Sequence, residues 1–283
     1  MKLAFLTLLF KRYPLEYSFH IARKYDLDGI EIWGGRPHAY PFDLSHTASD
    51  IRKWKEQYQI DIPMYTPELL AYPYNLSSRD ERERLDTVLY LKQAVDLCHE
   101  IGCPEMLVSS DHPGYGRSSE ESWNCLVEGL QEVSFRAEKK DVILRMEPLG
   151  PNTSPIVTRC PDLAKLIDDV GSPNLKAMMD MAIPPLCAEP YSEYFTLLGN
   201  DFSYIHLCGC DGIYETHCQF SEGEDMVRME DFFHLLKSYD YNGWCSIEIL
   251  EPYYRDPELY LAEALRMIRP FIEPDAPFPG PGL

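Results

Sequence analysis

The chain has 283 residues, of which 45% are hydrophobic and 25% charged, an ordinary composition for a globular protein whose length suits one large domain. Its 26 basic and 46 acidic residues give a formal net charge of −20, which argues against nucleic acid and anionic membranes as partners because both would be repelled. No apolar run reaches the roughly eighteen residues that a membrane-spanning helix needs.

Apolar segments of strand length alternate with helical segments along nearly the whole chain. The first follows only Lys2 and lacks a small-residue cleavage site, so a buried strand explains it better than a signal peptide. The eight predicted strands are Leu3–Phe10, Gly29–Trp33, Ile60–Thr66, Glu105–Ser110, Val142–Glu147, Leu175–Asp180, Phe202–Cys208 and Trp244–Ile249. Because they are apolar on both faces and each is followed by a helix, we expect a parallel sheet covered by helices.

Eight such units predict a single α/β domain, a closed (β/α)8 TIM barrel over residues 1–272. An open doubly wound sheet is the weaker alternative, because no G-x-G-x-x-G follows the first strand. Residues 273–283 carry four prolines and two glycines and are predicted to form a C-terminal tail that continues no helix.

Several helix boundaries can be predicted from capping residues. The clearest helix is Ser78–Ile101, where apolar residues recur every three or four positions after a capping box of Ser78 and Glu81. Further boundary signals are Gly102 after that helix, a second capping box of Ser118 and Glu121, and Pro161 and Gly171 at the two ends of a later helix.

The nine cysteines are odd in number and mostly fall inside apolar segments. This pattern is typical of buried thiols in a reducing compartment, so we expect a cytoplasmic protein without disulfides. Cys208 and Cys210 form a C-x-C without a second thiol pair at zinc-site spacing, and we interpret them as packing residues.

Four polar residues fall at the carboxyl ends of consecutive predicted strands, where a barrel of this kind has its active site: Glu147, Asp180, His206 and Glu248. Taken singly, each has an ordinary explanation as a solvated carboxylate, a helix cap or a core histidine. Together, three carboxylates would lie close to one another at one open end of the barrel, its mouth. Two anions about 4 Å apart repel by roughly 4 kcal/mol at an effective dielectric near 20. A divalent cation would neutralise them, and oxygen and imidazole donors favour Mn²⁺, then Mg²⁺, Co²⁺ or Fe²⁺.

These strand ends resemble those of the xylose isomerase-like TIM-barrel superfamily of sugar isomerases and epimerases, in which such a quartet binds the metal. Six further segments are most similar to the fructoselysine 3-epimerase family: Asp28–Ala39, Tyr65–Glu68, Tyr72–Asn75, His112–Tyr115, Glu147–Leu149 and His206–His217. The resemblance implies a small-molecule sugar as substrate, and it is compatible with a homo-oligomer.

The resemblance implies an epimerase that inverts the carbon next to a ketose carbonyl through a cis-enediolate. Two bases on opposite faces must then exchange protons with that carbon. We assign Glu147 and Glu248 as the acid/base pair and as metal ligands, with Asp180 and His206 as ligands only.

Residues in the loops at the same mouth are candidates for substrate binding. They are Trp33, His38, Tyr65, Glu68, His112 and His217. If the substrate is an Amadori compound, its amine is cationic and Glu68 is a candidate partner. Arg145 lies two residues before Glu147 and so points to the same side of its strand, where we expect a salt bridge with Glu31.

One departure from the related families bears on function. Ile183 stands three residues after Asp180, where many ketose 3-epimerases and the apurinic endonucleases carry a histidine. With the charge of −20, this argues against a DNA-repair nuclease. An aldose–ketose isomerase with the same metal stays open as the main alternative, and a non-catalytic sugar-binding barrel as a third hypothesis.

Overall fold

Eight parallel strands form the centre of the fold. The computed structural model describes residues 1–116, 118–220, 227–250 and 256–272, so the predicted tail at 273–283 lies outside the described residues. The strands are β1 (Lys2–Phe5), β2 (Ile32–Trp33), β3 (Met64–Thr66), β4 (Glu105–Val108), β5 (Ile143–Met146), β6 (Leu175–Asp180), β7 (Phe202–Leu207) and β8 (Trp244–Ile247). They pair in the order β1-β8-β7-β6-β5-β4-β3-β2, and a bridge between Leu6 and Glu31 joins the two ends of this order. The predicted (β/α)8 barrel is therefore confirmed.

Helices cover the outside of the strands and bury their apolar faces there. They are α1 (Leu15–Lys24), α2 (Leu44–Tyr58), α3 (Glu81–Ile101), α4 (Ser119–Lys140), α5 (Cys160–Val170), α6 (Ile183–Leu186), α7 (Met229–Ser238) and α8 (Pro257–Ile272). Between α6 and β7 the chain makes a single π-helical turn at Tyr194–Leu198. In the described ranges, no helix is long and apolar enough to cross a membrane.

The interior of the barrel holds its own small cluster of buried side chains. Met64, Leu107, Met178 and Tyr204 come from β3, β4, β6 and β7, and Trp244 at the start of β8 packs against them. Because these side chains fill the barrel, it has no open pore, and a ligand has access only to its ends.

Arg145 lies buried among the strands, but its predicted partner was wrong. Its guanidinium binds Glu105, with Nε 2.7 Å from Oε2 and Nη2 2.8 Å from Oε1, and it also donates to Ser203. Glu105 is the first residue of β4 and Ser203 the second of β7, so this ion pair lies near the amino ends of the strands. Two residues along a strand correspond to about 6.6 Å, which separates Arg145 from the level of Glu147. Glu31 has a different partner, at the mouth.

The strand and helix boundaries differ from the predictions in specific places. The first predicted strand is divided, because β1 ends at Phe5 and Thr7–Phe10 forms a 3₁₀ turn. The capping box of Ser78 and Glu81 is wrong. Asp80 caps α3 by accepting a hydrogen bond from the Arg82 amide at 2.8 Å, and a charged carboxylate closer to the helix start is the stronger acceptor there.

Strands β2 and β3 begin later than predicted, at Ile32 and Met64, whereas the remaining helix-boundary predictions are confirmed. The box of Ser118 and Glu121 is formed, Pro161 lies in the first turn of α5, and Gly102 and Gly171 end their helices with φ of 66° and 69°. All nine cysteines fall in the described ranges, and all are free thiols.

Candidate active site

The four polar residues at the strand ends converge on one point. Glu147 directly follows β5, Asp180 ends β6, His206 lies in β7 and Glu248 directly follows β8. Pairing of Asp180 with His206 in the sheet brings both to the same level. One ligand atom from each of the four residues lies within 4.8 Å of the other three. We call these four residues the strand-end cluster.

The strand-end cluster contains polar atoms that protein groups leave unsatisfied. His206 Nδ1 is 2.8 Å from Glu147 Oε1 and 2.7 Å from Glu248 Oε2. Despite these short distances, none of the three atoms has a hydrogen bond of acceptable geometry to any residue that the structure describes. Burying such atoms without partners costs free energy, which a cation at their common point would offset. Three carboxylates and one imidazole fit a hard or borderline divalent ion.

The cluster binds protons strongly because it is buried and acidic. The pKa of Glu147 is raised to about 8, chiefly by burial, which the nearby His206 opposes and the Glu248 and Asp180 carboxylates reinforce. Burial alone would lower the pKa of His206, but the carboxylates of Glu31, Glu248 and Glu147 hold it well above its ordinary value. The site therefore requires positive charge, supplied by protons or by a metal ion.

Glu31 orients His206 from behind the cluster. It is fully buried, and both of its oxygens lie 3.0 Å from His206 Nε2. Tyr204 donates to Oε2 at 3.0 Å and the Thr66 hydroxyl donates to Oε1. Burial raises the pKa of Glu31, but His206 first and then the Thr66 hydroxyl outweigh burial and leave the pKa below its ordinary value. An ionised Glu31 accepts a hydrogen bond from His206 Nε2–H, so once His206 gives up its second proton, the Nδ1 lone pair faces the cluster.

Sequence reasoning missed this role of Glu31 by pairing it with Arg145. The available signal was a carboxylate flanked by isoleucines in the apolar segment Gly29–Trp33, because a buried acid needs a buried partner. His206 could not be singled out as that partner from the sequence, since 175 residues separate the two.

The loop after β7 brings His217 against the cluster. His217 Nε2 contacts Asp180 Oδ2 and lies 3.6 Å from Glu248 Oε2. Burial would lower the pKa of His217, but the Asp180 and Glu248 carboxylates raise it to about 10. The loop is held in place by mutual backbone hydrogen bonds of Gly209 and Cys218, at 2.8 and 3.2 Å. His217 was predicted to meet substrate hydroxyls. That role stays a prediction, while its contact in the structure is with a predicted metal ligand.

Three other predicted substrate residues are bonded to one another or to the chain around them. The Trp33 indole donates to Glu68 Oε2 at 2.7 Å, and the Ala71 amide donates to Glu68 Oε1 at 2.9 Å. His38 is buried, with Nδ1 3.1 Å from the Thr7 hydroxyl and Nε2 3.0 Å from the Tyr13 carbonyl. Contacts of Trp33, His38 and Glu68 with a substrate stay predictions.

The hydrogen bonds of Tyr65 and His112 are formed with residues outside the strand-end cluster. Tyr65 is fully buried and donates to the Ala39 carbonyl at 2.7 Å. His112, in the loop after β4, accepts the Gly114 amide at Nδ1 at 2.9 Å, and its ring lies 5.1 Å from that of Tyr115. Their substrate contacts also stay predictions.

Ile183 lies at the start of α6 and is fully buried. The Ala182 amide before it donates to Asp180 Oδ1 at 2.8 Å, so the turn after β6 holds this carboxylate in place. The position where the resemblance led us to expect a histidine therefore holds a buried apolar side chain.

Comparison with known proteins gives consistent matches along almost the whole chain. A family model described as "Xylose isomerase-like TIM barrel" matches residues 19–271. Fructoselysine 3-epimerases of Escherichia coli O157:H7 and Shigella flexneri are each 34% identical over 276 residues, which cover 97% of this chain and 100% and 99% of theirs. Among solved structures, an L-ribulose 3-epimerase superposes with a TM-score of 0.81 at 16% identity, covering 96% of this chain and 95% of that one. This structural likeness concerns the fold alone.

Proposed function

Because the chain belongs to the xylose isomerase-like TIM barrel family and is 34% identical to fructoselysine 3-epimerases over nearly its full length, we propose that it is a divalent-metal-dependent ketose 3-epimerase acting on fructoselysine or a closely related amine-linked ketose. The observation that carries this proposal is the convergence of four buried ligand atoms within 4.8 Å. Relatives named as epimerases belong to the isomerase class of enzymes. In the proposed reaction, the site moves a proton between the two faces of one carbon.

The cation would be held by Glu147, Asp180, His206 and Glu248. Mn²⁺ suits three oxygen donors and one imidazole best, followed by Mg²⁺, Co²⁺ and Fe²⁺. Bound there, it would act as a Lewis acid that makes the hydrogen next to a ketose carbonyl acidic enough to remove at neutral pH.

Exposure distinguishes the two glutamates from the other two ligands. Glu147 and Glu248 each keep 8% of their surface exposed, whereas Asp180 and His206 keep none. The glutamates are therefore the members of the cluster that a substrate in the mouth can touch. They also follow β5 and β8, which β6 and β7 separate in the sheet order, so they reach the site from different sides.

The proton transfers follow from this placement. One glutamate removes the proton from the carbon next to the carbonyl, and the electron pair of the broken C–H bond spreads over the carbonyl as a cis-enediolate. The other glutamate, which starts the turnover protonated, then donates its proton to the opposite face of that carbon, and the pair of electrons returns to form the new C–H bond. Each residue can do so with one carboxylate oxygen while its other oxygen faces His206 Nδ1.

Solvent exchange tests the reaction directly. Metal-stripped and Mn²⁺-restored protein would be incubated with fructoselysine and a panel of ketohexoses in D₂O and followed by NMR. We expect an epimer labelled with deuterium at carbon 3 only after metal is restored. An aldose product would favour the isomerase alternative, and binding without exchange for every sugar and metal would favour a non-catalytic barrel.

Two substitutions test the two-base scheme. Glu147→Gln and Glu248→Gln should each lower the epimerisation rate by about 10²–10⁴-fold, because each removes one proton-transfer group while leaving an oxygen that can face the metal. Asp180→Asn is the matched control, since it weakens a ligand without removing a base and should recover activity at high Mn²⁺. A fully active Glu248→Gln enzyme would refute the scheme.

A further inference from the structure

A cavity of about 420 Å³ opens at the same end of the barrel as the strand-end cluster. Its walls come from three loops, and each loop follows a strand that carries a cluster residue. Residues 150–153 come shortly after Glu147, Leu186 belongs to the turn after Asp180, and residues 212–215 lie in the loop after His206. A molecule whose reactive carbon lies at the cluster could therefore extend a substituent into this cavity.

Glu215 is the charged residue among the nine that line the cavity. Its Oε2 atom accepts hydrogen bonds from the Gly150 amide at 2.7 Å and the Thr153 hydroxyl at 2.6 Å. No hydrogen bond to Oε1 is formed by any residue within the described ranges. A Cβ atom at position 150 would lie 2.6 Å from Glu215 Oε2, so the absence of a side chain there allows the carboxylate to approach the backbone. The carboxylate is thus held by one oxygen and has the other left for a ligand.

The cavity also offers apolar surface. Ile213 and Tyr214 are 65% and 60% exposed, and Leu186 faces them from the turn after β6. Exposed apolar side chains next to a fixed carboxylate suit a chain of methylene groups that bears a cationic amine.

We propose that this cavity binds the non-sugar arm of an amine-linked ketose and that Glu215 binds the cationic secondary amine of that arm. The assignment rests on the proposed function. In an Amadori compound the amine is attached to the carbon next to the carbonyl, so it must lie close to the cluster whenever the carbonyl is bound there. The loop supports this placement, because His217, two residues after Glu215, contacts the cluster residue Asp180.

Glu68, the acidic partner suggested by the sequence, is less suited to this role. Both of its oxygens already accept hydrogen bonds, from the Trp33 indole and the Ala71 amide. Glu215 lines a cavity and has one oxygen without such a hydrogen bond. In Glu68, by contrast, both carboxylate oxygens are already used by neighbouring residues.

Three substrates separate the effect of charge from that of shape: 1-butylamino-1-deoxyfructose (the amine adduct), 1-O-butyl-fructose as its uncharged counterpart, and unsubstituted fructose. Glu215→Gln should lower kcat/KM for the amine adduct by about 10–100-fold, mainly through KM, because a charge-assisted hydrogen bond is lost. It should leave the two uncharged ketoses within about twofold of wild type. Thr153→Val is the matched control, because it removes a bond to Glu215 but keeps the charge and should keep the preference for the amine.

The outcomes distinguish this inference from the proposed function. An equal loss of kcat/KM for charged and uncharged ketoses in Glu215→Gln would mean that Glu215 only holds the loop. If Glu68→Gln instead loses the preference for the amine adduct, the amine is assigned to Glu68. Either result overturns the inference. Turnover of no ketose by the Mn²⁺-loaded wild type would remove the proposed function and the inference with it. If Glu215→Gln does not fold, Glu215→Asp decides: it keeps the charge but withdraws the carboxylate by one methylene group, so it should lower kcat/KM for the amine adduct more than for the two uncharged ketoses, and an equal effect on all three would overturn the inference.

Discussion

Replacing Glu31 by glutamine would remove the buried carboxylate that orients His206. In the wild type, three donors converge on its two oxygens: His206 Nε2, the Tyr204 hydroxyl and the Thr66 hydroxyl. Glutamine offers one oxygen and one amide NH₂ group in the same space. At least one of the three donors would then face another donor inside a fully buried pocket.

The expected effect is a weaker metal site in a folded protein. His206 Nε2 is equidistant from both Glu31 oxygens at 3.0 Å, so either orientation of the glutamine amide disturbs the imidazole. The neutral amide also makes the imidazole less basic than the carboxylate does. Changes to such a partner of a metal-binding histidine cost about 10–100-fold in metal affinity, which corresponds to about 1.4–2.7 kcal/mol.

Titration of metal-stripped protein with Mn²⁺ by calorimetry measures this effect. We expect the Kd of Glu31→Gln to rise about 10–100-fold, and that of Glu105→Gln to stay within about threefold of wild type. Glu105 is a suitable control, because it is also a carboxylate inside the strand ring but is paired with Arg145 near the other end. Wild-type Mn²⁺ affinity in a folded Glu31→Gln protein would refute the assignment of His206 as a ligand oriented by Glu31.

Two further predictions concern stability. Mn²⁺ at about one hundred times its Kd should stabilise the protein by about 2.7 kcal/mol and raise Tm by about 4–5 °C in a thermal melt with and without chelator; an unchanged Tm with every divalent cation would contradict a metal site. Burial raises the pKa of Glu189 to about 7 from its ordinary 4.5. The folded state then holds a proton that the unfolded state has lost, so stability should fall as pH rises between these values. Glu189 is buried, and glutamine can keep the hydrogen bond that the carboxylate accepts from the Cys160 amide, so we expect Glu189→Gln to be more stable than wild type by about 1–2 kcal/mol near pH 8 and nearly equal near pH 5 in urea unfolding; identical pH slopes would contradict this cause.

The parts of the site that lie on strands could be predicted because the β/α unit repeats. Each strand is an apolar run of limited length, and the residue at its carboxyl end reaches the same mouth in every unit. Glu147, Asp180, His206 and Glu248 could therefore be grouped from their positions at strand ends, and the structure brings them within 4.8 Å of one another.

The roles of side chains that lie deeper or in loops could not be predicted in the same way. Arg145 was expected beside Glu31. Its partner depends on how far along β5 it lies from the mouth, and at that level it meets Glu105. The approach of His217 to Asp180 depends on the path of a long loop, which is fixed by the contact of Gly209 with Cys218 and not by any periodic pattern.

By itself, the sequence determined the barrel, its strand ends and the four candidate ligands, since hydrophobic periodicity and chain order specify which residues share an end of a parallel barrel. Only the tertiary structure decided that Glu31 holds His206, that Arg145 belongs to the opposite end, and that Glu215 has an oxygen facing a cavity. The physical reason is that a buried charge must find its counterpart through space, and the residues that meet there are up to 175 positions apart in the chain.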